Sequence, residues 1–493
     1  MLDVLFVPTA LLYFGVIALL FVYGMNFFYL AFVTWRHRHA RRQSPALSHM
    51  PRVTVQLPIY NELYVAQRLI DAAAQLTYPR NLLEVQVLDD STDETSALVC
   101  AAVERWRADG VNIVQLRRAQ RDGYKAGALA HGLALAQGEF IAIFDADFIP
   151  ARDYLLRTLP DFADERVAFV QTRWGHVNRH YSLLTFLQSL AIDAHFVVEQ
   201  FARSMGGYWF NFNGTAGVWR RTALADAGGW TADTLTEDLD ISYRAFLRGW
   251  RALYRREVVT LAELPVSFSA YRRQQHRWAR GSFECALKLL PSVWRAPIGL
   301  RRKVEATLHL TGYGVHVLLC ALALLYPLVL IFAQRHPSLV SLFGLSFIFN
   351  ISAFAPALFF ALAQQQLGRR WWFVLPAIVF MSALGAGMML NTMRGVLQIA
   401  FNRSGVFERT PKYGIAQPGE DWRRRRYQLR LDPIVFAEAA FALLNAGTVV
   451  LALRFGNWPI GVYAALFCMG LLFTSGLSVA QAVAVRRAGG ESA

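Results

Sequence analysis

Cysteine is scarce in this chain. Its four residues, Cys100, Cys285, Cys320 and Cys468, are scattered, and two lie inside apolar blocks, so neither a disulfide framework nor a zinc site is expected. Charge is scarce as well. Only 17% of the 493 residues are Asp, Glu, Lys or Arg while 55% are hydrophobic, a balance too apolar for an ordinary soluble enzyme. Acidic residues are the rarer sign, 35 against 50 Lys and Arg, for a net charge of +15. No nucleic-acid-binding motif accompanies that excess, so no nucleic-acid partner is expected. The excess reads as the Lys and Arg that membrane proteins collect in loops kept in the cytoplasm.

What the chain has in quantity is long apolar runs. The first, from about Val4 to Val33, ends in Trp35, Arg36, His37, Arg38, His39, Ala40, Arg41 and Arg42. It is too long for a signal-peptide core and carries its positive charge afterwards. It reads as a span that starts outside and ends inside, which puts the segment from Pro51 to about Leu264 on the cytoplasmic side. Further apolar blocks lie at about 305–333, 338–363, 371–393, 434–453 and 459–484. If all crossed, the stretch from Arg394 to Arg430, with nine Lys or Arg and three Asp or Glu, would lie outside, against the positive-inside bias. One block is therefore expected to lie in the interface. The segment 371–400 is the choice, because it starts with Arg369, Arg370, Trp371 and Trp372 and contains Pro376, Gly385 and Gly387.

The expected organisation is a span at 1–35, a catalytic domain at 50–265, interfacial helices at 266–303, two spans at 304–365, an interfacial helix and loop at 366–432, two spans at 433–486 and a cytoplasmic tail at 487–493. Phe283, Leu287, Leu290 and Trp294 repeat at helical spacing among Arg280, Lys288 and Arg295, as an amphipathic surface helix would. The expected location is a plasma or inner membrane, as a multi-pass protein with membrane lipids as its surroundings.

Between residues 51 and 264, short apolar runs alternate with amphipathic stretches, the pattern of a mostly parallel sheet covered by helices. Val53–Leu57, Val85–Leu88 and Phe140–Phe144 are the clearest strands. Each ends in polar residues: Pro58, Tyr60, Asn61 and Glu62; Asp89, Asp90 and Asp93; Asp145 and Asp147. Ligands bind outside the carboxyl ends of parallel strands, so the three clusters should share one crevice.

Taken singly, each cluster has a plain explanation. Asp145 and Asp147 suit a strand-end turn, or a hard cation, Mg2+ or Mn2+, held by few carboxylates and substrate phosphates. Asp89, Asp90 and Asp93 suit turns or a helix cap, or, for Asp89 or Asp90, hydrogen bonds to a base or ribose. Lys125, among Gly123, Tyr124 and Gly127, suits a phosphate. Thr236, Glu237 and Asp238 suit a helix cap and its dipole, or a general base for a sugar hydroxyl. Gln274, Arg277 and Trp278 suit a basic, aromatic membrane-surface helix, or an acceptor and diphosphate site, with the guanidinium on phosphate and the indole on a sugar face. His276 lacks any partner at metal-ligand spacing.

In this order, the aspartate pair, Asp-Ala-Asp, Thr-Glu-Asp and Gln-x-x-Arg-Trp resemble the membrane-bound family 2 glycosyltransferases, which include cellulose, hyaluronan and plant mannan synthases. The resemblance covers residues 52–280. Phe407-Glu408-Arg409-Thr410-Pro411-Lys412 is similar to the loop that gates the donor in such enzymes. The resemblance implies a GT-A type domain inserted among transmembrane helices. It puts Asp89 and Asp90 on the nucleoside, with Pro58, Tyr60, Glu62 and Lys125 in the donor site. Asp145 goes to the nucleotide, Asp147 with Asp145 to the metal, and Asp238 with Glu237 to catalysis. Asn213, Gly214, Gln274, Arg277 and Trp278 face the acceptor and diphosphate, Asn213 standing where some members carry Cys. Phe407, Arg409, Thr410 and Lys412 would close the loop.

The expected activity is inverting, processive transfer of a hexose to a β-linked polysaccharide, with UDP-glucose the first choice of donor and GDP-mannose the second. Accessory export subunits would be partners if one chain does not complete a channel. A short-product glycolipid glucosyltransferase and a silent nucleotide-sugar-binding scaffold are the alternatives.

Overall fold

The computed structural model describes residues 5–40, 49–335, 346–401, 405 and 408–490. Seven strands form one sheet: β1 (Val53–Ile59), β2 (Leu83–Asp89), β3 (Ile113–Leu116), β4 (Phe140–Ile143), β5 (Val167–His176), β6 (Gly217–Arg220) and β7 (Arg251–Ala262), in the order β3-β2-β1-β4-β6-β5-β7. The three strands read from apolar runs are β1, β2 and β4. They lie side by side and parallel, with Val53 opposite both Leu83 and Phe140. Their carboxyl ends therefore open on one edge, which brings the three polar clusters together. Only β6 runs against its neighbours β4 and β5.

The central strands are buried on both faces because helices cover both. Thr54 and Gln56 nevertheless lie fully buried in β1. Each donates across the ladder to its register partner: Thr54 to Glu84 at 2.6 Å and Gln56 to Gln86 at 3.0 Å. β7 was not legible as a strand, since Arg251, Arg255, Arg256 and Glu257 interrupt its apolar residues. The Arg255 guanidinium is buried all the same, paired with the buried Asp161 carboxylate.

Among the described residues, five helices are long and apolar enough to cross a membrane: Phe6–Arg36, Gly314–Arg335, Trp371–Ala400, Ile434–Arg454 and Trp458–Ala488. The chain is thus a multi-pass membrane protein by the length and composition of its helices. Trp371–Ala400 has the length and apolarity of a span, whereas the sequence reading laid it in the interface. It is built of a 3-10 turn at Trp371–Val374 and two helices, Leu375–Gly387 and Met389–Ala400, broken at Met388. Gly387 and Gly470 let Leu375–Gly387 approach the last helix closely enough that a Cβ on either glycine would strike the other backbone, the small-residue packing of membrane helices. The block expected to cross at 338–363 is described only from residue 346, where a 3-10 stretch, Ser346–Phe354, leads into a 12-residue helix, Ala355–Gln366.

The stretch after Ala400 returns to the sheet domain. Arg409 meets Glu62 at 3.1 Å and Lys412 meets Asp147 at 2.7 Å, while Arg426 pairs with Glu94 and the Tyr427 hydroxyl with Asp93.

Candidate active site

The polar clusters at the ends of β1, β2 and β4 line one cavity of about 170 Å3. Pro58, Tyr60 and Glu62 come from the end of β1, Asp90 from that of β2, and Asp145 and Asp147 from that of β4. Lys125 reaches in from the helix Tyr124–Leu135, and Glu237 and Asp238 from the first turn of Glu237–Leu247. Gln274, Arg277 and Trp278 lie three and four residues apart on the helix Phe268–Arg295, a spacing that puts all three on one face. Asn213 and Gly214 join them, and Arg409, Thr410 and Lys412 close the wall.

Two of the residues that the resemblance assigns to the site are not placed there, and neither Asn61 nor Asp93 of the strand-end clusters lines the cavity. Asp89 is fully buried beneath the cavity and does not line it; its carboxylate accepts from the Ser91 backbone at 2.9 Å, Ser96 Oγ at 2.8 Å and Gln115 Nε2 at 2.7 Å. It holds the strand-to-helix turn, and its neighbour Asp90 faces the site, gripped by Arg118 at 3.0 and 2.5 Å. Phe407 lies outside the described residues.

The site alternates charges. Lys125 Nζ is 2.6 Å from Asp145 and 3.8 Å from Glu237, and donates to the Gly214 carbonyl at 2.9 Å. Burial works against its charge, but Asp145 and Glu237 outweigh it and its pKa is raised. Asp238 is pushed up to about 7 by burial and then by the adjacent Glu237, with Lys125 pulling the other way. That is the range a general base needs near neutral pH. The helix dipole favours the anion in this first turn without overcoming those two effects. Thr236 occupies the N-cap position, yet its side chain makes no capping bond and lies 3.4 Å from Cys285 Sγ. Burial likewise drives Glu62 up to about 8 although Arg409 sits against it.

Gly214 has to be glycine. Its φ is +79°, and a Cβ there would stand 3.0 Å from Asp238 Oδ2 and 3.3 Å from Lys125 Nζ. Thr410 also lines the cavity, and its hydroxyl is buried with no hydrogen bond to any described residue.

Asp145 and Asp147 both line the cavity and offer the hard oxygen donors a divalent cation takes; in this structure an ammonium engages each carboxylate, Lys125 on Asp145 and Lys412 on Asp147, and a cation would have to displace it. Among the described residues no group of three or more His, Cys, Asp or Glu is gathered for a metal. Such a cation would complete its shell with phosphate oxygens and water.

Several lining residues escaped the sequence reading. Glu263, at the end of β7, donates its backbone N–H to Asp147 at 3.2 Å and accepts from the Tyr413 N–H at 2.9 Å, joining the β4 end to the loop. Its signal, a carboxylate closing an apolar strand, was hidden because β7 itself was. Arg121 lies over the Tyr60 ring, 3.4 Å from its centroid, a stacking no spacing announces. Trp174 and His176 enter from β5.

The family model described as glycosyltransferase like family 2 matches residues 51–281. A probable glucomannan 4-beta-mannosyltransferase 7 of Oryza sativa subsp. japonica is 48% identical over 248 residues, 49% of this chain and 42% of the relative. The glucomannan 4-beta-mannosyltransferase 7 of Arabidopsis thaliana is 45% identical over 251 residues, 50% of this chain and 45% of the relative. The chain thus matches less than half the length of these curated relatives. Among solved structures, a mannosyltransferase from Pyrobaculum calidifontis, in complex with GDP-Man and Mn2+, aligns at 22% identity with a TM-score of 0.49, covering 82% of this chain and all of that one. The mostly parallel, helix-covered sheet, its strand-end carboxylates and the match over residues 51–281 together make this segment a GT-A type domain of glycosyltransferase family 2.

Proposed function

We propose that this protein transfers mannose from GDP-mannose, with inversion, to the end of a β-linked polysaccharide. The observation that carries the proposal is the single cavity that gathers Asp145, Asp147, Asp238 and the Gln274, Arg277 and Trp278 face, in a segment 45 to 48% identical to relatives named as mannosyltransferases. Those names favour GDP-mannose over UDP-glucose, the reverse of the order expected from the sequence.

In this reading the donor lies along the strand ends, its nucleoside by Tyr60 and Asp90. Lys125 and Arg277 face its diphosphate. A divalent cation at Asp145 and Asp147 would neutralise charge on the departing diphosphate. Asp238 takes the proton of an acceptor hydroxyl as the hydroxyl oxygen attacks the anomeric carbon. The bond from that carbon to the diphosphate oxygen breaks, its electron pair leaving with GDP, and an α-linked donor gives a β-linked product in one step. Lys125 and Arg277 stabilise the growing negative charge. Arg409, Thr410 and Lys412 form the wall that closes over the donor. Trp278 offers an indole face to the acceptor sugar.

The domain and the loop at 408–430 lie on the cytoplasmic side in this proposal, consistent with the Lys and Arg of both. A second cavity continuing from the site towards the membrane helices favours a growing chain over a single addition. The purified full chain in lipid nanodiscs, offered GDP-mannose and UDP-glucose with Mn2+, tests all of this. Long, β-mannanase-sensitive product from GDP-mannose is expected. Exclusively lipid-extractable short products would replace polymer synthesis with glycolipid synthesis, and donor turnover equal in wild type and Asp238→Asn would leave only a binding scaffold.

A further inference from the structure

The catalytic cavity is open on the side away from the donor carboxylates. Past Asn213, Asp238, Gln274 and Trp278 it continues into a second cavity of about 370 Å3, bounded by the first membrane helix and the helices Leu183–Ala194 and Phe268–Arg295. Asn213 stands at the junction: it lines both cavities, as Asp238 does.

Its side chain is oriented from two sides. The helix Leu183–Ala194 runs on into a π-helical turn, His195–Gln200, and such wide turns bring side chains five apart onto one side and recur at functional sites. His195 Nδ1 lies 2.9 Å from Glu199 Oε2, and His195 Nε2 lies 3.0 Å from Asn213 Nδ2. A carboxylate can only accept, so Nδ1 carries the proton, and Nε2 offers its lone pair to the Asn213 N–H. Glu199 is fixed in turn by Arg203 at 3.2 Å. On the other side Gln200 Nε2 donates to the Asn211 carbonyl at 3.0 Å, which settles the orientation of that amide, and to Asn213 Oδ1. The Asn213 amide is therefore pinned with its oxygen on Gln200 and one N–H on His195. Its second N–H has no partner among the described residues.

We propose that His195, seated by Glu199, and Gln200 position the Asn213 amide to donate its remaining N–H to an oxygen of the acceptor sugar beside Asp238, and so determine which hydroxyl is glycosylated. Asn213 is a specificity residue in this scheme, and His195, Glu199 and Gln200 are positioning residues that act through it. Reading the cavity this way rests on the mannosyl-transfer proposal above. A hydroxyl adjacent to the attacking one is the natural ligand: the attacking oxygen must face the Asp238 carboxylate, and the sugar oxygens next to it fall on the neighbouring wall.

The experiment uses the full chain in nanodiscs with GDP-mannose, Mn2+ and a β-1,4-linked manno-oligosaccharide, followed by linkage analysis. His195→Ala should raise the acceptor KM about fivefold to tenfold, the worth of one neutral hydrogen bond, hold the donor KM within about twofold, and yield mixed linkages. His195→Gln, whose side-chain oxygen can replace Nε2 as acceptor, should recover most of the loss. In a double-mutant cycle, His195→Ala should add little to Asn213→Ala, because the two act as one unit. An unchanged acceptor KM and linkage, donor and acceptor KM rising together, additive effects, or a Gln variant no better than Ala would each overturn the positioning role while leaving mannosyl transfer intact. A wild type that transfers no mannose would overturn the functional reading itself and this inference with it.

Discussion

The pH dependence of kcat/KM tests the assignment of Asp238 most directly. A general base works only unprotonated, and Asp238 is held near 7 by burial and by Glu237. The profile should therefore rise with unit slope through about pH 7, with the rate at pH 6 about one-tenth of its alkaline plateau. The neighbours fix the sign of each displacement. Lys125 favours the ionised carboxylate, so Lys125→Met should move the rising limb to higher pH. Glu237 is a like charge, so Glu237→Gln should move it to lower pH; each displacement is expected at about one pH unit. Asp238→Asn should lower kcat by about 10²- to 10⁴-fold, remove the limb and leave GDP-mannose binding within a few-fold of wild type. The assay is continuous GDP release by the full chain in nanodiscs, under donor-limited conditions, so that the profile reports the free enzyme. A limb that stays in place in both Lys125→Met and Glu237→Gln would refute the electrostatic account. A limb surviving in Asp238→Asn would refute the base.

Gly214→Ala should lower kcat about tenfold while the chain still folds: its φ of +79° strains any side chain, and a Cβ 3.0 Å from Asp238 Oδ2 makes the base give way slightly, a misplacement to which the rate is sensitive. EDTA should abolish transfer, and Mn2+ or Mg2+ should restore it; undiminished turnover in EDTA would remove the metal role of Asp145 and Asp147. Lys412→Met, which deletes the 2.7 Å contact to Asp147, should raise the donor KM about tenfold with little change in the acceptor KM, the worth of a hydrogen bond to a charged group. Arg272 and Glu438 form a buried pair at 2.9 Å between the Gln-x-x-Arg-Trp helix and a membrane helix. Arg272→Met should cost about 3–5 kcal/mol by stranding the carboxylate, read as a fall in the midpoint of thermal unfolding, and adding Glu438→Met should recover much of it.

Residues whose signal is local were legible. β1, β2 and β4 announce themselves as apolar runs closed by polar residues, and a parallel sheet leaves those closings on one edge. The aspartate pair Asp89 and Asp90 and the carboxylates Asp145 and Asp147 are therefore expected at one crevice from the strand pattern alone. The Gln274, Arg277 and Trp278 spacing put three side chains on one helix face in the same way. In the stripe of Phe283, Leu287, Leu290 and Trp294, Leu287 and Trp294 are exposed, 68% and 46%, while Cys285, Leu289 and Val293 pack inward.

The strand-end aspartates, the helix-face triad and the apolar blocks were thus determined by the sequence alone, because each depends on periodicity and chain direction within a few residues. Which of two adjacent aspartates faces the site was decided by the tertiary structure: a single peptide step separates Asp89, locked under Ser91, Ser96 and Gln115, from Asp90 in the cavity. The pairing of Lys412 with Asp147 spans 265 residues, and the contacts among His195, Glu199, Gln200 and Asn213 arise from a wide helical turn meeting a loop. No local pattern encodes either of these. The raised pKa of Asp238 is likewise a property of the assembled site, since burial, Glu237 and Lys125 act on it together only once the cavity has closed around them.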